Sequence, residues 1–254
     1  MVHVTGNQPN GTPNWLDLGI PDLDRAKEFY GAVFGWEFQD YGEEAGHYHA
    51  CLLQGEPIAG MMRNPDDAPS ECWWQIYFAT DDVDGTLKRA TDAGGTLVLP
   101  ADDVMDQGRM AMLKDPTGAQ FGLWQGRAHI GTRIKGEPGA MAWSELSTTD
   151  SKAALDFYGA VFGYVQERMP GDLDYTALKL TAQADDPGVG GVMSEPGSNL
   201  NAWLTYFLVE SADDAVGRVR EGGGSVVAEP EDSPYGRLAV VDDPFGARFK
   251  LMSQ

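Results

Sequence analysis

Cysteine is nearly absent from this chain, histidine is scarce, and basic residues are far outnumbered: there are two Cys, four His, and 18 Lys plus Arg against 39 Asp plus Glu. Each shortage excludes something. Cys51 and Cys72 make neither a disulfide framework nor a thiolate zinc knuckle, and they read as reduced thiols in or near a core. The formal charge of −21 repels nucleic-acid phosphates and anionic lipid, so neither is expected as a partner. The acidity itself reads as solubility. No run of about 18 apolar residues occurs, so no membrane-spanning helix is expected. Met1–Asn10 lacks the charged-then-apolar pattern of a signal peptide, which makes a cytoplasmic location the expectation. Of the histidines, only His47 and His49 could act together, since i and i+2 share a face of a strand. No third ligand can be placed beside them. His3 falls in a tail expected to be mobile, and His129 in a connector. No Ser-His-Asp or Cys-His arrangement can be assembled.

What the chain does have is itself, twice. Phe29-Tyr30-Gly31-Ala32-Val33-Phe34-Gly35 returns unchanged as Phe157 to Gly163, an offset of 128 residues. Trp15 returns as Trp143, Gly108-Arg109 as Gly236-Arg237, and Asp115-Pro116-Thr117-Gly118-Ala119 as Asp243-Pro244-Phe245-Gly246-Ala247. Tyr77-Phe78 returns as Tyr206-Phe207 at 129, so one small insertion lies between. A duplication follows, with one copy over residues 12–126, a linker over 127–138 rich in Gly, Pro and charge, and a second copy over 139–254.

Each copy reads as strand, helix, then strands, twice over. Trp15 to Ile20 is a short apolar-rich run. Asp22 then caps a helix whose Ala26, Phe29, Tyr30 and Val33 form an i, i+3, i+4, i+7 stripe, and Gly35 stops it. Strands are expected at Tyr48 to Gln54, Ile58 to Met62 and Trp73 to Thr80. A second helix over Asp82 to Ala93 and a strand over Thr96 to Leu99 follow. Arg109 to Lys114 and Gln120 to Trp124 form a hairpin around Asp115-Pro116-Thr117-Gly118. The aromatic helix motif reads as packing under a sheet. Gly94-Gly95 and Gly222-Gly223-Gly224 precede strands, the wrong order for a phosphate-binding loop.

A repeating βαβββ module, the Asp22 … Phe29-Tyr30 … Phe34-Gly35 helix and the Asp-Pro-x-Gly turn before the last strand resemble the vicinal-oxygen-chelate superfamily, which holds glyoxalase I, extradiol dioxygenases and the fosfomycin- and bleomycin-resistance proteins. The match spans nearly the whole chain. It is most similar to tandem-domain "hydroxylase" or "glyoxalase" types, some of them found beside antibiotic biosynthesis genes. The resemblance implies an α+β fold of two tandem domains, each made of paired βαβββ modules curled into a half-barrel. Most enzymes of that superfamily hold a divalent metal on the concave face, with ligands from the first, fifth and last strands. Carried over, those positions are Trp15, Gln75 and Gly122 in the first copy and Trp143, Leu204 and Lys250 in the second. None is His, Glu, Asp or Cys, so no metal ligand and no cofactor is expected.

Strand alternation then lines the cups. Trp15, Asp17, Gln75, Tyr77, Gln120 and Trp124 face inward in the first, and Trp143, Glu145, Tyr206, Arg248 and Lys250 in the second, while Leu16 and Leu18 face the helices. Apolar walls with a few placed polar groups suit a small, flat, conjugated ligand. Two readings of Asp17 and Glu145 stay open. They pair structurally with Arg109 and Arg237, or they act as general bases raised by an apolar pocket. The leading expectation is a metal-independent binding protein of the bleomycin-resistance type for an aromatic natural product or metabolite, working as a monomer or homodimer. The alternative is a cofactor-independent hydroxylase-like enzyme, isomerase or cyclase of an aromatic polyketide pathway. A metal-dependent lyase or dioxygenase comes third.

Overall fold

A computed structural model describes residues 2–65, 71–171, 173–195 and 200–254. The first copy runs β1 (Pro13–Ile20), α1 (Leu23–Phe34), β2 (Glu37–Asp40), β3 (His49–Leu53), β4 (Glu56–Arg63), β5 (Trp74–Ala79), α2 (Val83–Asp92), β6 (Thr96–Val104), β7 (Gly108–Lys114) and β8 (Gln120–Gly126). The second repeats that order as β9 (Met141–Thr148), α3 (Ser151–Phe162), β10 (Val165–Arg168), β11 (Tyr175–Lys179), β12 (Gly190–Ser194), β13 (Ala202–Leu208), α4 (Ala212–Glu221), β14 (Ser225–Ser233), β15 (Gly236–Asp242) and β16 (Arg248–Ser253).

Each copy makes one eight-stranded sheet, ordered β2-β3-β4-β1-β5-β8-β7-β6 and β10-β11-β12-β9-β13-β16-β15-β14. Within a sheet, β1 lies parallel to β4 and β5 parallel to β8, and the two modules meet antiparallel where β1 pairs with β5. The α+β class and the paired modules read from the sequence are both present. The extent of two strands differs. Thr96 begins a strand that continues to Val104, with irregular pairing near Leu99, and the short β2 was not apparent in the sequence because it buries almost nothing.

The helices form where local chemistry directs them. The Asp22 carboxylate accepts from the Arg25 N–H, and Gly35 closes α1 at φ 73°, a left-handed conformation that glycine adopts without strain. Asp150 and Gly163 do the same for α3. The apolar stripe of α1 is buried, as is its counterpart on α3.

Their burial crosses the repeat. Phe34 of α1 packs on Phe207 and Phe249 of the second sheet, with ring centroids 5.0 and 5.8 Å apart. Phe162 of α3 packs on Phe78 of the first sheet at 5.3 Å, and Tyr158 on Phe121 at 5.5 Å. Tyr30 donates to Asp243 Oδ2 at 3.0 Å and Tyr158 to Asp115 Oδ2 at 3.1 Å, so each helix is bonded to the Asp-Pro-x-Gly turn of the other copy. Arg89 and Arg218 add the same exchange through the carbonyls of Val161 and Val33. A single hydrophobic core therefore runs through both copies.

The linker and tail are tied down. Thr132 donates to the Asn14 carbonyl, Arg133 to Pro57, and Ile134 is fully buried. Val2–His3 pairs antiparallel with Ile134–Lys135, which corrects the expectation of a mobile tail at His3. Cys51 and Cys72 are free and buried.

Candidate small-molecule site in the N-terminal half

Alternation along β1 sends Leu16, Leu18 and Ile20 into the core and leaves Trp15, Asp17 and Gly19 on the opposite, concave face. A cavity of about 520 Å³ opens there. Trp15, Tyr77 and Trp124 pack on one another at its floor, with Tyr48, Val104 and Met110 against them. Gln75 and Gln120 line one side and are bonded together, Gln120 Nε2 donating to Gln75 Oε1 at 2.7 Å.

Asp17 sits at the centre of the floor. Its Oδ1 accepts from the Tyr48 hydroxyl at 2.5 Å and from Trp15 Nε1 at 2.9 Å, and the Tyr77 hydroxyl is a third donor group on the same floor. Burial raises the Asp17 carboxyl above the ordinary carboxylate range, against the opposing pull of these three donors. Burial and the neighbouring Asp17 charge push Tyr48 and Tyr77 well up, so both remain protonated donors. Gly60, paired with Asp17 across β1 and β4, makes this approach possible: a Cβ there would lie 1.6 Å from the Tyr48 hydroxyl oxygen.

The Arg109 pairing expected for Asp17 does not occur. Arg109 instead bridges Asp84 at the start of α2 and Asp103 on β6. Arg237 likewise holds Asp213 and Asp232 rather than Glu145. Both arginines are held by carboxylates in the exposed first turn of a helix and on the neighbouring edge strand, which leaves Asp17 and Glu145 to other partners.

The second copy places its counterparts in the same positions with a different outcome. Trp143 donates to the Tyr175 hydroxyl at 2.7 Å, as Trp15 does to Tyr48 at 3.0 Å. Glu145, only 2% exposed, accepts from the Tyr206 hydroxyl at 2.9 Å and from Lys250 Nζ at 2.5 Å. Lys250 is thus the partner of Glu145. Arg248 is engaged with Asp242 on the neighbouring strand.

Two contributors to the first cup were not apparent in the sequence. Tyr48 lies just before β3, and only its match to Tyr175 could have marked it. His129, assigned to a connector, folds back edge-on to Trp15 with ring centroids 4.2 Å apart, and its carbonyl accepts from Trp124 Nε1. Burial, helped by the nearby Arg133, lowers its pKa to about 4, so it stands as a neutral ring in the cavity wall. His47 and His49 are not a strand pair. His47 lies in a turn at φ 56° against Asp40, and His49 bonds to the His47 carbonyl.

The family model for the Glyoxalase/Bleomycin resistance protein/Dioxygenase superfamily matches residues 12–123 and again residues 140–251. The chain belongs to this superfamily. It is similar to the Mycobacterium tuberculosis protein named "Putative glyoxylase CFP32", 40% identical over 95% of this chain and 94% of that protein. It is also similar to "Anthracycline biosynthesis protein DnrV" of Streptomyces peucetius, 36% identical over 95% of this chain and 93% of that protein. Among solved structures, the Mn(II)-bound glyoxalase from Novosphingobium aromaticivorans superposes with a TM-score of 0.68 at 17% identity, covering 96% of this chain and 82% of that one. At that identity it speaks for the fold alone.

The superfamily's divalent metal can be tested against the donors present. Trp15 and Gly122 flank Tyr77 across β1, β5 and β8, with Gln75 two residues before Tyr77 and opposite Asp17, and none of Trp15, Gln75 and Gly122 offers an anionic or imidazole ligand. Among the described residues, no group of three or more His, Cys, Asp or Glu could hold a metal ion. The carboxylate on this floor, Asp17, is already engaged by the Tyr48 hydroxyl and the Trp15 indole. These side chains do not fit a superfamily-type metal centre.

Proposed function

We propose that the N-terminal cup binds a flat, largely apolar small molecule and does so without a metal. The observation that carries this reading is the cavity of about 520 Å³ whose floor is the Trp15–Tyr77–Trp124 cluster. Aromatic faces suit a conjugated ring by offset stacking or edge contact. Met110 and Met112 on the wall can adjust to the outline of the ligand. Burying roughly 200 Å² of ring at about 25 cal/mol per Å² gives about 5 kcal/mol of gross stabilisation before the cost of association. The names of two relatives, both anthracycline biosynthesis proteins, support a fused-ring ligand.

The test is a calorimetric titration of chelator-treated protein with acridone, a flat uncharged ring system. Saturable binding of one molecule per chain, unchanged by chelator and abolished by Met110→Trp, supports the proposal. Absence of saturable binding, or binding that appears only after Mn(II) is added, overturns it.

A second reading, proton transfer without a cofactor, is favoured by one observation, the raised pKa of Asp17 at the cavity floor. It assigns Asp17 as the base. Glu145 has no such part, because its two oxygens are taken by Lys250 and Tyr206. Loss of turnover in Asp17→Asn, with ligand binding retained, would establish it.

A further inference from the structure

We infer that the molecule taken by the N-terminal cup is a cation: a planar ring system bearing a protonated nitrogen that pairs with Asp17. This inference rests on the reading of the cup as a small-molecule site and adds the charge of its ligand.

The chain carries its own comparison. At one position of the last strand in each sheet, Gly122 stands beside Tyr77 and Lys250 beside Tyr206. In the second cup the Lys250 ammonium lies 4.9 Å from the centre of the Tyr206 ring and 2.5 Å from Glu145 Oε1. Carboxylate, tyrosine and cation form a closed set there, with the chain supplying all three. In the first cup the carboxylate and the tyrosine are kept and the cation is missing. Gly122 has no side chain, and the Tyr77 ring leans into the space, so that a Cβ on residue 122 would lie 2.1 Å from Tyr77 Cδ1. Among the described residues lining the first cavity, none is Lys or Arg.

Asp17 is therefore a half-buried carboxylate with donors but without a counter-charge. Two neutral donors, the Tyr48 hydroxyl and the Trp15 indole, hold it, and burial still disfavours its charged form. A carboxylate in an apolar surround is costly unless paired. A ligand ammonium would supply what Lys250 supplies next door. The remaining walls suit the same chemistry, since Trp15, Tyr48, Tyr77 and Trp124 present ring faces and edges to one volume, and aromatic faces attract cations. His129, with its pKa lowered to about 4, adds no opposing charge. The net charge of −21 draws cations toward the protein from a distance.

Three flat probes of similar outline separate charge from shape: proflavine, a monocation at neutral pH, acridone, which is neutral, and anthracene carboxylate, an anion. Wild-type protein is expected to bind proflavine about tenfold or more tightly than acridone, because one desolvated charge pair commonly contributes that much, and to bind the anion most weakly. Asp17→Asn removes a single charge from the whole protein. It is expected to bring proflavine within about twofold of acridone, and a near-ultraviolet circular dichroism spectrum like that of the wild type reports an intact aromatic floor. Equal affinity for proflavine and acridone in the wild type overturns the inference. So does a proflavine preference that survives Asp17→Asn, because its source would then be another acidic group, such as Glu71 on the cavity wall, or the overall charge of the protein. If Asp17→Asn does not fold, a wild-type salt series decides. A preference that persists at about 0.5 M NaCl, where surface charges are screened within a few ångströms, supports pairing at Asp17, and its collapse to parity overturns it. Failure of all three probes to bind is a different result, since it removes the cup itself as a small-molecule site and the inference with it.

Discussion

Replacing Tyr158 with Phe removes one oxygen and leaves Trp203 Nε1 and Asp115 Oδ2 without the partner they share. The Tyr158 hydroxyl accepts from Trp203 Nε1 at 2.7 Å and donates to Asp115 Oδ2 at 3.1 Å. Asp115 is 3% exposed and Trp203 5%, so water does not readily replace either bond. An orphaned buried polar group costs about 1–3 kcal/mol, and the ring itself still fills its site, so Y158F is expected to lose about 2–4 kcal/mol. Against a total stability of about 5–15 kcal/mol this is a large fraction. The symmetric variant Y30F, which strips Trp74 Nε1 and Asp243 Oδ2 of the Tyr30 hydroxyl, is expected to lose a similar amount. The bond joins a helix of one copy to a turn of the other, so both halves should weaken together. Urea unfolding followed by tryptophan fluorescence and by far-ultraviolet circular dichroism reads this directly. The expected result is a lower midpoint, an unchanged slope and coincident transitions. A change below about 0.5 kcal/mol, or two separated transitions of which only one moves, would refute the shared-core reasoning.

Other outcomes follow from the cups. Breaking the buried Lys250–Glu145 pair in Lys250→Met is expected to cost about 3–5 kcal/mol, with most of it regained in the double variant Glu145→Met/Lys250→Met, as thermal unfolding of both would show. Asp17 titrates with a folded pKa raised above its ordinary value, so its contribution to stability is fully present below the unfolded pKa and is lost as pH rises through the folded one. Asp17→Asn, which cannot ionise, is therefore expected to match the wild type in melting temperature near pH 4 and to exceed it near pH 7. A gap that is constant with pH would contradict this. Gly60→Ala places a Cβ where the Tyr48 hydroxyl lies. It is expected to displace Tyr48 from Asp17 and weaken acridone binding at least about tenfold, while Gly46→Ala, with open space around it, leaves binding unchanged.

The parts of the fold that were legible in the sequence are those set by local chemistry or repetition. Asp22, Gly35 and the Phe29-Tyr30-Val33 stripe announce a capped amphipathic helix, and the duplicate at Asp150 to Gly163 confirms the register. Alternation along β1 was enough to separate Leu16 and Leu18 from Trp15 and Asp17. The rest depends on contacts distant in sequence. Nothing near Tyr30 indicates that its hydroxyl meets Asp243, 213 positions away. The partner of Asp17 could not be deduced from the repeat, because the repeated Arg109 and Arg237 suggested a pairing that the geometry denies. Among the positions at which the cups diverge, Gly122 against Lys250 is the one that gives the second carboxylate a cation and the first none. His129 was misplaced because a connector carries no periodicity to orient its side chains, and its fold back over Trp15 depends on hydrogen bonds to Gln107 and Asn14.

The most direct test of the central claim is a crystal structure of the protein grown with acridone and with Mn(II) in the solution. The account predicts the ring in the N-terminal cup, against Trp15, Trp124 and Met110, with no metal bound there. A ring in the C-terminal cup, or a manganese ion ligated by Asp17 in the N-terminal one, would contradict it.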